Sequence, residues 1–301
     1  MSFWRAHPSV GGWIGILLSS VVLFTTGWLM GLLVSRPLNL TSFLIGVLTL
    51  ASVVTLAILV FWTFGYYSLY YTLDRDALRV RWTGFETVVP ITDIREVVEE
   101  PMEKGGVALP FLHWPGYCIG SGRAGGTDAT YYATTLKHSP LLLLTEQGGY
   151  VVSPEDPEGF VEALKLRQSL GPVHAVAAGV NTLGLFRLSI WSDHLAQWLW
   201  LGACLANVFL IAYLCAVYPN LDPVVPVHFD AMGQVDRIAP AILVFVLPMI
   251  GWLILIVNGL LGLWMHGRQR LATLLLWGGT IVVQGFLWIA ALGITFHEMV
   301  A

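Results

Sequence analysis

Phe43 to Phe64 reads FLIGVLTLASVVTLAILVFWTF, 22 residues without a charge. A helix needs about 20 mostly apolar residues to cross the hydrocarbon core of a bilayer, so this stretch reads as a membrane span. Working outward, four more stretches meet the same test: Trp13 to Val34 before it, then Leu195 to Val217, Ala241 to Trp264 and Leu271 to Phe296. The expected fold class is membrane α-helical with five transmembrane helices. None of the five carries a charged residue in its interior. Proton relays, ion pumps and voltage sensors need ionisable groups buried in the membrane, which argues against those functions.

Composition agrees. Of 301 residues, 56% are hydrophobic and 11% charged, against about 25% charged in soluble proteins. The charges are concentrated. Between Gly65 and Asp193 lie ten basic and fifteen acidic residues, a formal charge of −5. That segment reads as one water-facing domain, too acidic to bind nucleic acid. The first span exceeds the roughly 7–15 residues of a cleaved signal, and Ser35-Arg36-Pro37-Leu38 lacks a small-x-small site, so a retained anchor is expected. The three cysteines imply no disulfide framework: Cys204 and Cys215 lie about 16 Å apart along one helix, too far to bridge. Lysine and arginine placement sets the expected orientation. Arg5, the 65–193 segment, Arg268 and Arg270 fall on one side; Arg36, Arg237 and Glu298 fall on the other. The N-terminus and the soluble domain are expected in the cytoplasm, with the 218–240 loop and the C-terminus outside, in a bacterial cytoplasmic (inner) membrane.

Four segments follow from this reading. Residues 1–65 form a transmembrane hairpin turning at Arg36, Pro37 and Asn39. Gly27 and Gly31 sit in a GxxxG spacing that permits close helix packing. Residues 66–170 form the soluble domain, 171–194 a linker or interfacial segment, and 195–301 a three-helix module. Within the domain the period changes to two. Leu78, Val80 and Trp82 share one strand face while Arg79 and Arg81 share the other. Further short strands are expected at 85–90, 91–98, 130–136, 140–145 and 150–152, an antiparallel barrel or sandwich. A helix then starts either at Ser153 with Pro154 or at Asp156 with Pro157. Phe160, Val161 and Leu164, with Leu166 as a candidate fourth, give it an apolar stripe, and Gly171-Pro172 ends it. In the linker Leu185, Phe186, Leu188, Ile190 and Trp191 fit the membrane interface.

Two resemblances follow from these residues. The run Tyr71-Thr72-Leu73-Asp74-Arg75-Asp76-Ala77-Leu78-Arg79-Val80-Arg81, then Val89-Pro90-Ile91-Thr92-Asp93-Ile94, Pro115-Gly116-Tyr117 with Gly120, and Ser153 to Phe160, resembles bacterial pleckstrin-homology-like (PH-like) domains over about 66–170. The resemblance implies an inserted α+β to all-β barrel of seven strands with one C-terminal capping helix. The second lies in Pro223 to Asp236. Pro226, His228, Phe229, Gly233 and Asp236 match the hallmark of an uncharacterised membrane module best known from immunity proteins against the Sdp killing factor, over about 195–265. The further spans of those immunity proteins are not present.

Several sets of residues are candidate sites. Arg75, Arg79 and Arg81 are the candidates for lipid or phosphate contact, though Asp74 and Asp76 flank Arg75 and the domain is acidic where a headgroup-docking surface needs a basic cluster. Pro226, His228, Phe229, Gly233 and Asp236 form an outer-loop motif, read as a structural lock in preference to a ligand or metal site. Gly120, Gly122, Gly125 and Gly126 lack the ending of a phosphate loop and read as a hairpin. His113 and Cys118 are too few for zinc. All eight histidines fall at span ends or in water, which argues against a membrane haem, and Asn207, Asn258 and Gln284 are expected to bond between helices. No catalytic, cofactor-binding or metal residues are assigned. The expected function is non-catalytic: a scaffold, accessory subunit or regulator, with membrane lipids and other membrane proteins or a second copy as partners. An immunity or envelope-stress sensor is the first alternative and a transporter component the second.

Overall fold

The computed structural model describes residues 2–99, 118–136, 140–146, 148–174, 176–181, 189–229 and 235–300. Five helices are long and apolar enough to cross a membrane: α1 (Gly11–Val34), α2 (Leu40–Ser68), α4 (His194–Val217), α5 (Val246–His266) and α6 (Arg270–Val300). A sixth, α3 (Pro157–Leu170), is amphipathic. The chain divides into two compact units, residues 1–25 with 52–183, and 26–51 with 184–301.

The first unit holds two five-stranded sheets. One has the order β1 (Ser2–Arg5), β2 (Tyr70–Leu73), β3 (Ala77–Trp82), β4 (Phe85–Pro90) and β10 (Gly179–Asn181), all antiparallel. The expected strand pair around Asp74-Arg75-Asp76 is present. Leu78 and Val80 are buried, Arg81 is exposed and Arg79 partly so. The second sheet has the order β5 (Ile94–Glu99), β8 (Leu141–Thr145), β9 (Gly148–Val152), β7 (Thr127–Ala133) and β6 (Cys118–Ala124). Here the expectation of a purely antiparallel sheet is corrected: β7 and β9 run parallel. The β8–β9 hairpin inserts between β5 and β7, so β9 reaches β7 with the same sense. Among the described residues between 69 and 168 there are eight strands, not the seven implied by the resemblance.

One core joins both sheets to α3. Tyr71, Leu73, Leu78, Leu141, Leu143, Phe160 and Leu164 are fully buried in it. Asp156, not Ser153, caps α3: its carboxylate accepts from Gly159 N at 3.0 Å, with Pro157 at the first helical position. Ser153 is buried instead; its Oγ accepts from Thr134 N at 2.9 Å, and its own N–H donates to the Tyr71 hydroxyl at 3.1 Å. Of the expected stripe, Phe160, Val161 and Leu164 are buried, while Leu166 is exposed. The end of α2 continues the core. Phe61 and Trp62 pack against Trp82, with ring centroids 5.9 and 6.0 Å apart. Gly12 and Gly15 of α1 make room there: a Cβ on Gly12 would stand 2.6 Å from Tyr66, and one on Gly15 would overlap Thr63.

Residues 2–9, within the segment read from sequence as the 1–65 hairpin, join the first sheet. β1 pairs with β2 from Ser2↔Leu73 to Arg5↔Tyr70. Beyond it, Glu155 N donates to Arg5 O and His7 N to Ser153 O, at 2.9 and 2.8 Å. Tyr66 OH donates to Ser9 O at 2.9 Å. The segment before α1 and the strand after α2 therefore belong to one sheet.

In the second unit α4, α5 and α6 pack against one another, and α5 does so on a stripe of small residues. Gly251, Gly259 and Gly262 are buried along it with Leu255 and His266. A Cβ on Gly259 would stand 3.0 Å from the Trp200 indole, and one on Gly262 would overlap Trp277. Close approach through small residues is how membrane helices gain packing without a hydrophobic driving force. Gly27 and Gly31 face open space within the chain: a Cβ added at either would meet nothing within 4 Å.

Candidate functional site

Three helix ends of the second unit converge on one carboxylate. Asp193 caps α4, and its Oδ1 accepts from Ala196 N at 3.3 Å. Arg270, at the start of α6, donates Nε to Oδ2 at 2.6 Å and an Nη2 proton to Oδ1 at 3.2 Å. His266, at the end of α5, places Nε2 2.9 Å from Oδ2. The carboxylate is the acceptor, so Nε2 carries the proton. Arg270 first and His266 second hold the Asp193 carboxyl well below the usual carboxylate range. A carboxylate saturated in this way is a poor general base. It locks three helices at one end of the bundle.

The membrane-embedded polar residues form a ladder farther in. Asn207 donates Nδ2 to Gln284 Oε1 at 2.9 Å, and Gln284 donates Nε2 to Gly251 O at 3.2 Å. Asn258 donates to Thr280 Oγ1 at 2.9 Å, and the Trp277 indole donates to Asn258 O at 2.9 Å. These are the interhelical bonds expected from sequence. Asn207 Oδ1 has no partner among the described residues.

At the other end of α4, β11 (Val224–Phe229) and β12 (Val235–Pro240) form a hairpin. Val225 is fully buried among Leu210, Leu214, Val244 and Ile294, which seats the hairpin on its helices. Pro226, His228, Phe229 and Asp236 lie in the two strands; Gly233 lies outside the described residues, as does Asp230. The register shifts at His228, which sits opposite Arg237 and not Asp236.

The arginine candidates are brought together only in part. Arg79 and Arg81 share Glu86, at 3.9 and 2.9 Å, and Arg81 also donates to the Tyr70 hydroxyl at 3.1 Å. Arg75 lies at the other end of β3. It donates to Gly171 O at 3.1 Å and Leu170 O at 3.2 Å. A cation there complements the negative end of the helix dipole. In the glycine-rich segment, Gly125 and Gly126 form the tight turn between β6 and β7 at φ of 56° and 81°, a conformation that favours glycine. Residues 100–117, including His113 and Pro115-Gly116-Tyr117, lie outside the described residues, as do Leu185, Phe186 and Leu188. Of the linker's apolar residues, Ile190 is buried and Trp191 is exposed.

The two-sheet unit, with its Asp156-capped helix and the β2–β4 meander, carries the first comparison. Residues 69–168 match the bacterial PH domain family. The match to that bacterial PH domain begins at Leu69 and so leaves β1 outside it. Residues 205–251 match a domain of unknown function (DUF1648), spanning the second half of α4, the outer hairpin and the start of α5. Comparison with curated proteins and with solved structures gives no match. The chain is thus a multi-pass membrane protein that joins a region like the bacterial PH domain to a second membrane-associated domain.

Sequence reasoning missed the Asp193 cluster. Its members are 73 and 77 residues from Asp193 along the chain. The available signal was that all three sit at span ends, where ionisable side chains can still pair.

Proposed function

We propose that this protein is a non-catalytic scaffold, accessory subunit or regulator of a bacterial cytoplasmic membrane, presenting a PH-like domain to other proteins. In this reading the PH-like barrel is inserted between the second and third spans and capped by α3. It faces the cytoplasm with the N-terminus, and the outer hairpin and C-terminus lie outside; the bias of lysine and arginine supports that orientation. The observation that carries the reading is the pair of edges at which the second sheet ends among the described residues. Among the described residues, no strand lies beyond β5 or beyond β6. An exposed edge is a template for an added strand, and a domain fixed in the membrane meets its neighbours at high effective concentration. Glu86, by contrast, already pairs the two arginines nearest to a phosphate-binding pattern.

The test places a photo-crosslinking residue at Ser121 on β6 or Glu96 on β5, both exposed, in native membranes. Capture of a defined protein from both edge positions, but not from Leu50 in a span, is the expected result. If Ser121 and Glu96 capture nothing and gentle extraction returns this polypeptide alone, the reading fails. A sensing role through the outer hairpin is a second reading, favoured because the DUF1648 match spans that hairpin. Loss of a resistance or signalling phenotype in Asp236→Asn at unchanged protein level would favour it.

A further inference from the structure

The N-terminal segment meets the first sheet as a bound peptide would. Its backbone extends the sheet beside β2 over four residue pairs. Its side chains alternate: Trp4 turns inward, with its ring 5.7 Å from Phe160 and nearly perpendicular to it, while Phe3 and Arg5 are exposed. Main-chain pairing for affinity and alternate side-chain pockets for specificity are the two parts of recognition by strand addition. The ends are also gripped. Arg167 of α3 donates to Ser2 Oγ at 2.9 Å, and Ala6 bridges to Pro154.

Two further observations separate this segment from the domain it completes. The bacterial PH match starts at Leu69, so the matched region is defined without β1. Two membrane helices stand between β1 and β2 in the chain. The seat is also larger than its occupant. An open groove of about 570 Å³ runs beside Trp4 along α3, past Gly159, Glu162, Ala163 and Leu166.

We propose that the β2 edge beside α3 is a peptide-binding site, and that residues 2–9 are its resident ligand, held in cis. The competing occupant is an extended segment of a partner protein that sets an aromatic ring over Phe160 and continues into the groove along α3. The site is closed while the resident segment is in place and opens when that segment is displaced. The assignment of a protein partner rests on the scaffold reading; the site itself rests on the geometry of residues 2–9.

The experiment uses the full chain in detergent with a protease site replacing residues 8–10. After cleavage, a fluorescent peptide of residues 2–9 is added. The expected result is a cut protein that keeps its fold and binds the labelled peptide saturably. A Trp4→Ala peptide binds at least tenfold more weakly, and the uncut protein at least tenfold more weakly than the cut one. A cut protein that unfolds shows the segment to be an integral strand and overturns the proposal. So does a folded cut protein that ignores the peptide, or one that binds the Trp4→Ala peptide equally well. If the peptide fails while Ser121 still crosslinks to a defined partner, the peptide site falls and the scaffold reading stands.

Discussion

Gly251→Ala probes the centre of the membrane bundle. The added Cβ would overlap Asn207 Nδ2 and stand 3.0 Å from Gln284 Oε1. Overpacking of this kind costs about 1–3 kcal/mol. It also forces apart the Asn207–Gln284 and Gln284–Gly251 hydrogen bonds, each worth about 0.6 kcal/mol in a membrane interior. Alanine's better helix propensity returns about 1 kcal/mol. The net loss is about 1–3 kcal/mol, or a fall in Tm of roughly 2–12 °C. Thermal unfolding in detergent, followed by tryptophan fluorescence and by the soluble fraction after heating, reads it. Asn207→Ala in the same chain removes the overlapping amide, so the double variant should lose less than the two single losses combined. Gly279→Ala is the control. Nothing lies within 4 Å of that position, and the substitution should be neutral or stabilising by up to about 1 kcal/mol. If Gly251→Ala behaves like Gly279→Ala, Asn207 does not rest on the α5 backbone and the polar ladder is wrong.

Phe160→Ala removes a fully buried ring shared by α3, Trp4 and Tyr71; a loss of about 3–5 kcal/mol is expected, read as protease sensitivity of the soluble region with the spans intact. Tyr71→Phe strips the hydroxyl that donates to Tyr132 O and accepts from Ser153 N, leaving two buried backbone groups short of a partner. That should cost about 1–3 kcal/mol in the same assay. Asp193→Asn tests the three-helix lock through pH. The folded carboxyl is held below its ordinary range, so the unfolded chain protonates first. The stability it contributes is complete above about pH 5 and is lost as the pH falls through the ordinary carboxylate range toward the lower folded value. The wild-type Tm should therefore fall more steeply than the variant's between about pH 5 and pH 3, and parallel slopes would refute the pairing.

Most of what the sequence made legible was periodic and local. Long uncharged runs set all five spans, and alternation at Leu78 and Val80 against Arg79 and Arg81 set the β3 faces. The same local view left Ser153 and Asp156 as equal caps. It could not see that the Ser153 hydroxyl is claimed by Thr134, nineteen residues away. It chose Gly27 and Gly31 for packing because their spacing fits a motif. The glycines that pack within the chain, Gly251, Gly259 and Gly262, are identified by the partners opposite them, Asn207, Trp200 and Trp277. β1 was invisible for a different reason. Four residues carry too little alternation to mark a strand, and the partner strand lies beyond two membrane helices. The Asp193 cluster was hidden likewise, because charge pairing across helix ends leaves no period in the chain.

The pairing of β1 with β2 also constrains biosynthesis. Ser2 to Arg5 are made before their partner, Tyr70 to Leu73, which does not exist until both spans of the hairpin have been made. Through that interval these residues wait without their partner strand. Insertion of the helical pair thus precedes completion of the first sheet, and a defect that stalls either span would strand a sticky β-segment at the translocon. Translation rate through the first hairpin should therefore govern yield more than it does for a barrel whose strands are contiguous.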